Sequence, residues 1–234
     1  MSENTKIPDR VFLIAYPKIV FLWPTFLLSL FSGLYMTWVE HKHPNDWFVE
    51  SGASVLGWVF LIVLTLNLIV LSFDFPRTTS LTIFFIGIAV ILACMLIVVY
   101  QPGLFPWLAK IMTPIKPAAN AVFYYVFTMA LGAIYVAVLL NRRFDYWEVR
   151  PNELLHHHGF LSDLERLPAP NLRIDKEIND VFEFLLLGSG RLILHPSNEP
   201  RAIVLENVMF ISRKEQAITR MLGIMQVQLK SDSP

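Results

Sequence analysis

Charge is what this sequence lacks over most of its N-terminal part. Four stretches hold no Asp, Glu, Lys or Arg: Ile19–Val39, Ser51–Phe73, Thr78–Ala109 and Pro117–Asn141. Charged residues make up only 16% of the 234 residues and hydrophobic ones 55%, with a mean hydropathy of +0.52. A soluble domain carries about 25% charge, so composition excludes an ordinary soluble globule. Cysteine is nearly absent: Cys94 stands alone inside the third uncharged stretch, which excludes an intrachain disulfide and reads as a small buried hydrophobe. A broad basic field is also missing. Lys plus Arg and Asp plus Glu number 19 each, which argues against nucleic acid as a partner.

Each uncharged stretch is long enough for a helix to cross a hydrocarbon core about 30 Å thick. Backbone groups in lipid must satisfy one another, so helices are the expected form. The sequence therefore predicts four spans: Lys18–Val39, Ser54–Phe73, Thr79–Tyr100 and Ala118–Leu140. Pro17, Lys18 and Pro24 interrupt the first apolar run and no small-residue cleavage site follows, so it reads as a retained anchor. Pro24 is expected to bend that span. Ser29 and Gly33, and later Gly132, Ala133 and Ala137, offer small-residue faces for close packing. Tyr124, Tyr125 and Tyr135 are candidate interfacial anchors. Residues 101–117, with four prolines, read as an interfacial stretch, a re-entrant loop being the sharper alternative.

Basic residues set the orientation. Lys6, Arg10, Lys18, Arg77, Arg142 and Arg143 fall on one side of a four-span arrangement; Lys42, Lys110 and Lys116 fall on the other. The first side is expected to be cytoplasmic, with both termini there. The domain plan is then an N-terminal segment 1–17, a membrane domain 18–143, a soluble domain 144–230 and a tail 231–234.

The soluble domain reads as mainly β. Tyr146–Arg150 and Glu153–Phe160 form a pair about Pro151-Asn152. Leu172–Ile178 alternates apolar and charged residues, Val181–Leu187 reads as a richer strand, and Gly188-Ser189-Gly190 as the hairpin turn to Arg191–His195. Arg201–Leu205 is a further strand, and Leu161–Asn171 a long loop. The period then changes: Ser212 and Glu215 fit a capping box, Ala217, Ile218, Met221 and Leu222 share a helical face, and Gly223 is a candidate stop.

The segments YWEVRPNELLHHHGFLSD, IDKEINDVFEFLLLGSGRLIL and LENVMFISRKEQAITRML, over about Tyr146–Val227, resemble the bacterial pleckstrin-homology-like family, in its membrane-anchored form. That resemblance implies a seven-stranded sheet or partial barrel capped by a C-terminal helix, a bacterial inner (cytoplasmic) membrane location and a tendency to assemble. It implies no catalytic residues.

Candidate sites are few. His156 and His158 fall on one strand face and His157 on the other. Two His at that spacing suit a metal only with a third ligand; none is evident, so no metal is assigned and the cluster reads as a polar face or subunit contact. Arg142, Arg143 and Arg150 are candidates for lipid headgroups, although an Arg pair after a span is also the ordinary topology signal. Asn67 and Asp74 are the intramembrane polar candidates, Asn67 reading as a helix–helix hydrogen bond and Asp74 as part of an interfacial hairpin. Gly188-Ser189-Gly190 lacks the Lys and helix start of a phosphate loop. No nucleophile–base pair stands out. The expectation is a non-enzymatic membrane protein without cofactors: four helices and a cytoplasmic pleckstrin-homology-like domain, acting as a self-assembling scaffold or accessory subunit. Its partners would be membrane lipids, further copies of itself or other membrane-complex subunits. The alternatives are a small-solute transporter or channel and a lipid-sensing module.

Overall fold

The computed structural model describes residues 8–43, 51–72, 82–83, 86–87, 90, 117–159, 163–170, 172–197 and 199–231. They divide into a helical unit, Phe21–Ala133, and a mainly β unit that combines Met1–Val20 with Ile134–Pro234.

Three helices among the described residues are long and apolar enough to cross a membrane: α1 (Trp23–Lys42), α2 (Ser51–Ser72) and α3 (Ala121–Arg143). The expected third span, Asp74, and the proline-rich 101–117 stretch lie outside the described residues, apart from Pro117 and a few helical positions at 82–90. Pro24 does not bend α1. A 3₁₀ turn, Lys18–Leu22, leads into the helix, and Pro24 occupies its first turn. Its missing N–H costs nothing there and its fixed φ favours the start.

Within the helical unit α1 is central: 39% of its apolar window is buried, against 17% for α2 and α3. Its small residues explain this. A side-chain carbon at Gly33 would fall 2.8 Å from the Tyr125 ring, and the Ser29 hydroxyl lies 2.8 Å from the Thr128 hydroxyl. Tyr124 is fully buried, with Phe60 of α2 edge-on to Tyr124 and Phe127. Tyr124 and Tyr125 therefore pack between helices. Two acceptors cap the start of α3: Asn120 Oδ1 accepts from the Phe123 N–H, and Glu40 Oε1 accepts from the Ala121 N–H at 2.8 Å. A carboxylate there also complements the helix dipole.

The described residues of the β unit form seven antiparallel strands in two sheets. The first sheet runs in the order β1 (Val11–Leu13), β2 (Tyr146–Val149), β3 (Glu153–His158), β4 (Asp163–Pro168). The second runs β5 (Arg173–Glu177), β6 (Gly190–His195), β7 (Ile203–Val208). A bridge from Ala15 to Val208 links the two. β1 precedes the first apolar helix, yet pairs with β2, which follows the last, in the register Val11↔Val149, Phe12↔Glu148, Leu13↔Trp147. Val11 and Leu13 enter the core with Val149, Leu154, Leu192 and Leu194, beneath Ile211, Ile218 and Met221 of the closing helix α5 (Ile211–Ser231).

Three expectations give way here. Val181–Leu187 is not a strand but a short helix, α4. Asp180 Oδ1 accepts the N–H groups of Phe182 and Glu183, and Gly188, left-handed at φ 58°, ends it with its N–H on the Phe184 carbonyl. Gly188 is thus a helix cap rather than part of a hairpin turn. Leu161–Asn171 contains β4. Ser212 is no N-cap: α5 begins at Ile211 and runs through Gly223, while Glu215 pairs with Lys176 of β5 at 3.2 Å.

Candidate functional site

The densest polar constellation of the β unit spans β1, β2 and β3. Side chains alternate along β2, so Tyr146 and Glu148 share one face and Trp147 and Val149 the other. Opposite residues share a face, which sets Tyr146 against His157 and Trp147 against His156. Both pairs stack, at 4.5 Å and 4.1 Å between ring centres.

Glu148 is the organising residue, only 3% exposed. Its Oε1 accepts from Arg150 Nε at 2.8 Å and lies 3.8 Å from the Arg10 guanidinium, just before β1. Its Oε2 lies 3.4 Å from His157 Nε2. Arg150 also donates to Glu153 at 3.1 Å. Burial alone would push the Glu148 carboxyl up. The Arg150 hydrogen bond and charge, the Arg10 charge and the His157 contact outweigh it and hold the group below the usual carboxylate range. Reciprocally, the Glu148 hydrogen bond raises the Arg150 guanidinium above its ordinary value.

On the other face, His156 Nε2 lies 3.2 Å from Asp145 Oδ1 and its Nδ1 lies 3.6 Å from Glu165 Oε2. Arg142, in the last turn of α3, donates to Asp145 at 3.0 Å. A chain of polar contacts thus runs from the end of α3 through Asp145 and His156 to β4.

These contacts change the standing of the expected site residues. Arg142 and Arg150, two of the three lipid-headgroup candidates, are engaged by carboxylates of their own chain. Arg143 is exposed and has no carboxylate partner among the described residues. His156 and His158 do share a face, their rings 4.8 Å apart, but His156 is held by Asp145 and Glu165. No group of three or more His, Cys, Asp or Glu among the described residues is placed to share a metal. Asn67 donates to the Thr25 hydroxyl across α1 and α2. Ser189 is buried, and its hydroxyl donates to the Glu183 carbonyl.

Chemically the arrangement is a latch. It fastens the N-terminal strand and the end of α3 to the β2–β3 hairpin by ion pairs and hydrogen bonds. Sequence reasoning missed Glu148 and Arg10. The signal for Glu148 was the alternation Tyr-Trp-Glu-Val; nothing local marked Arg10 as its partner. No family model matches the chain, no curated protein is significantly similar to it, and no solved structure is significantly similar either.

Proposed function

We infer that this is a non-enzymatic membrane protein whose pleckstrin-homology-like domain serves a structural role, as a self-assembling scaffold or an accessory subunit of a membrane complex. The observation that carries the reading is the pairing of β1 with β2. A strand before the first apolar helix and strands after the last belong to one sheet, so the domain staples together the two ends of the helical region. That is a mechanical task, and the ion pairs of Arg10, Glu148, Arg150, Asp145 and Arg142 serve it.

The same pairing supports four spans. Two strands of one sheet lie on one side of a bilayer, so the crossings between them are even in number. The three apolar helices make an odd count, and a fourth crossing within the uncharged sequence Thr78–Ala109 makes it even. The Lys and Arg distribution supports a cytoplasmic position for the shared side, and the resemblance implies a bacterial inner membrane. Within Tyr146–Val227, the stretch that carries the resemblance, the described residues hold six antiparallel strands and a closing helix, with α4 among them; β1 adds a seventh strand from the N-terminal segment. The outermost strands, β4 and β5, leave edges that a neighbour can extend by strand addition.

Native mass spectrometry of the protein released gently from its membrane tests the structural role. A discrete homo-oligomer or a stoichiometric complex is the expected result. A partnerless monomer would defeat the reading.

A further inference from the structure

The β unit exposes an apolar patch that its ion pairs do not explain. On α4, Leu185 is 77% exposed and Phe184 37%; Phe210, between β7 and α5, is 56% exposed. These residues form one surface. Phe184, Leu185 and Gly188 fall on one face of α4 by their spacing, and a side-chain carbon at Gly188 would meet the Phe210 ring at 3.8 Å. The turn carrying Phe210 is fixed to the end of α4: its N–H donates to the Leu187 carbonyl, and the Ile211 N–H to the Gly188 carbonyl. Phe210 itself has φ 52°, a conformation uncommon for a bulky residue. The backbone thus holds a strained turn that leaves an aromatic ring exposed to solvent.

The position of this patch identifies its occupant. The chain leaves the β unit for α1 beside it. Ala15 bridges to Val208, the Tyr16 N–H donates to the Asn207 carbonyl, and Lys18 Nζ lies 3.3 Å from Glu183 Oε1 of α4. Lys18 is also the first residue of the first candidate span, Lys18–Lys42. α4 is therefore tied by its own carboxylate to the residue at which the chain enters the apolar region. The Arg213 guanidinium lies over the Phe210 ring, 5.9 Å from its centre. Exposed Phe and Leu flanked by Lys and Arg at a membrane entry are the chemistry of an interfacial anchor.

We propose that the α4–Phe210 surface seats in the headgroup boundary of the same bilayer that the helices cross, with Phe184, Leu185 and Phe210 in the acyl margin and Arg213 at the phosphates. This inference rests on the membrane reading above, and its test separates the two. The full chain, with Cys94→Ser, carries a nitrobenzoxadiazole dye on one introduced cysteine and is reconstituted in nanodiscs with or without spin-labelled lipid. Leu185→Cys reports the patch. Leu66→Cys, on the outward side of α2, reports the membrane reading. Glu199→Cys, in the exposed β6–β7 turn at the far end of β7 from Val208, is the comparison within the β unit.

Emission from position 185 is expected to fall to about half on adding quencher, as for an apolar face seated roughly 5–10 Å into the boundary; position 66 is quenched and 199 is not. Quenching at 66 without quenching at 185 overturns the proposal and leaves the membrane reading standing, including the case of a blue-shifted, unquenched dye at 185 covered by protein. Equal quenching at 185 and 199 overturns the assignment to α4. No quenching at 66 removes the membrane reading and the proposal with it.

Discussion

The two units of this protein dispose of polarity in opposite ways. Among the described residues of the helical unit the buried polar groups are neutral: Thr25, Ser29, Ser32, Asn67 and Thr128 lie inside, while Phe31, Leu66, Val126 and Met129 face outward. In the β unit the core is mainly aliphatic, yet charged side chains are buried beside it: Glu148, Asp180 and Glu183, each held by hydrogen bonds or ion pairs of its own chain. The contrast follows from the surrounding medium. Lipid offers an outward leucine no penalty, so helix association relies on close packing and on short hydrogen bonds such as Ser29 to Thr128. Water rewards burial of Leu13 and Leu194, and Glu148 is buried beside them because Arg150 and Arg10 pair with it.

The largest expected effect tests the β side of that contrast. Leu13→Ala empties a fully buried position on a three-residue strand and should destabilise the β unit by about 2–5 kcal/mol. Leu66→Ala, outward on α2, should change stability by less than about 0.5 kcal/mol. Denaturant titration of both variants in one detergent reads the difference, and similar losses would erase the comparison.

Gly33→Leu tests the helical side. The added side chain meets the Tyr125 ring, so α1 and α3 must part, at a cost of about 1–3 kcal/mol. Thermal unfolding should register this as a lower midpoint, with the secondary structure of the β unit retained.

The latch gives a pH signature of its own. Glu148 has a depressed folded value, so its stabilising contribution is present above the ordinary Glu value of about 4.3 and is lost as pH falls through the folded value. Arg150→Met removes the strongest opposing cause and leaves burial in control. The variant should lose stability most near neutral pH, and the gap from the parent should close on acidification. A gap independent of pH would mean that Arg150 acts by packing alone.

Smaller effects sharpen the boundary between element types. Asp180→Ala removes the N-cap of α4 and should cost about 1 kcal/mol. Asn67→Leu should cost about 0.6 kcal/mol, the average for a hydrogen bond between membrane helices. Hydrogen exchange of α4 amides checks the first; unfolding in mixed micelles checks the second.

The legible parts of the sequence were those with long signals. The uncharged stretches around α1, α2 and α3 announce their helices, and the β2–β3 pair about Pro151-Asn152 and the strand β6 follow from alternation. α4 was misread because Val-Phe-Glu-Phe-Leu-Leu-Leu has no decisive period; its caps, Asp180 and Gly188, carried the information. β4 was hidden by exposed charge and by Pro168 at its end. β1 was hidden by length, since three apolar residues acquire strand character only from Trp147, Glu148 and Val149, more than a hundred residues away. The latch was illegible for the same reason: Arg10 and Glu148 meet only through that pairing.

The central claim is that pairing, and oxidative crosslinking tests it most directly. Phe12 and Glu148 are register partners, and opposed residues of an antiparallel pair lie about 4.5–5.5 Å apart between Cα atoms, within disulfide reach. In membranes holding the Cys94→Ser chain with Phe12→Cys and Glu148→Cys, peptide mapping by mass spectrometry after mild oxidation should recover the two segments joined within one chain. Recovery of both as free thiols, with position 12 labelled from one face of the membrane and position 148 from the other, would contradict the account.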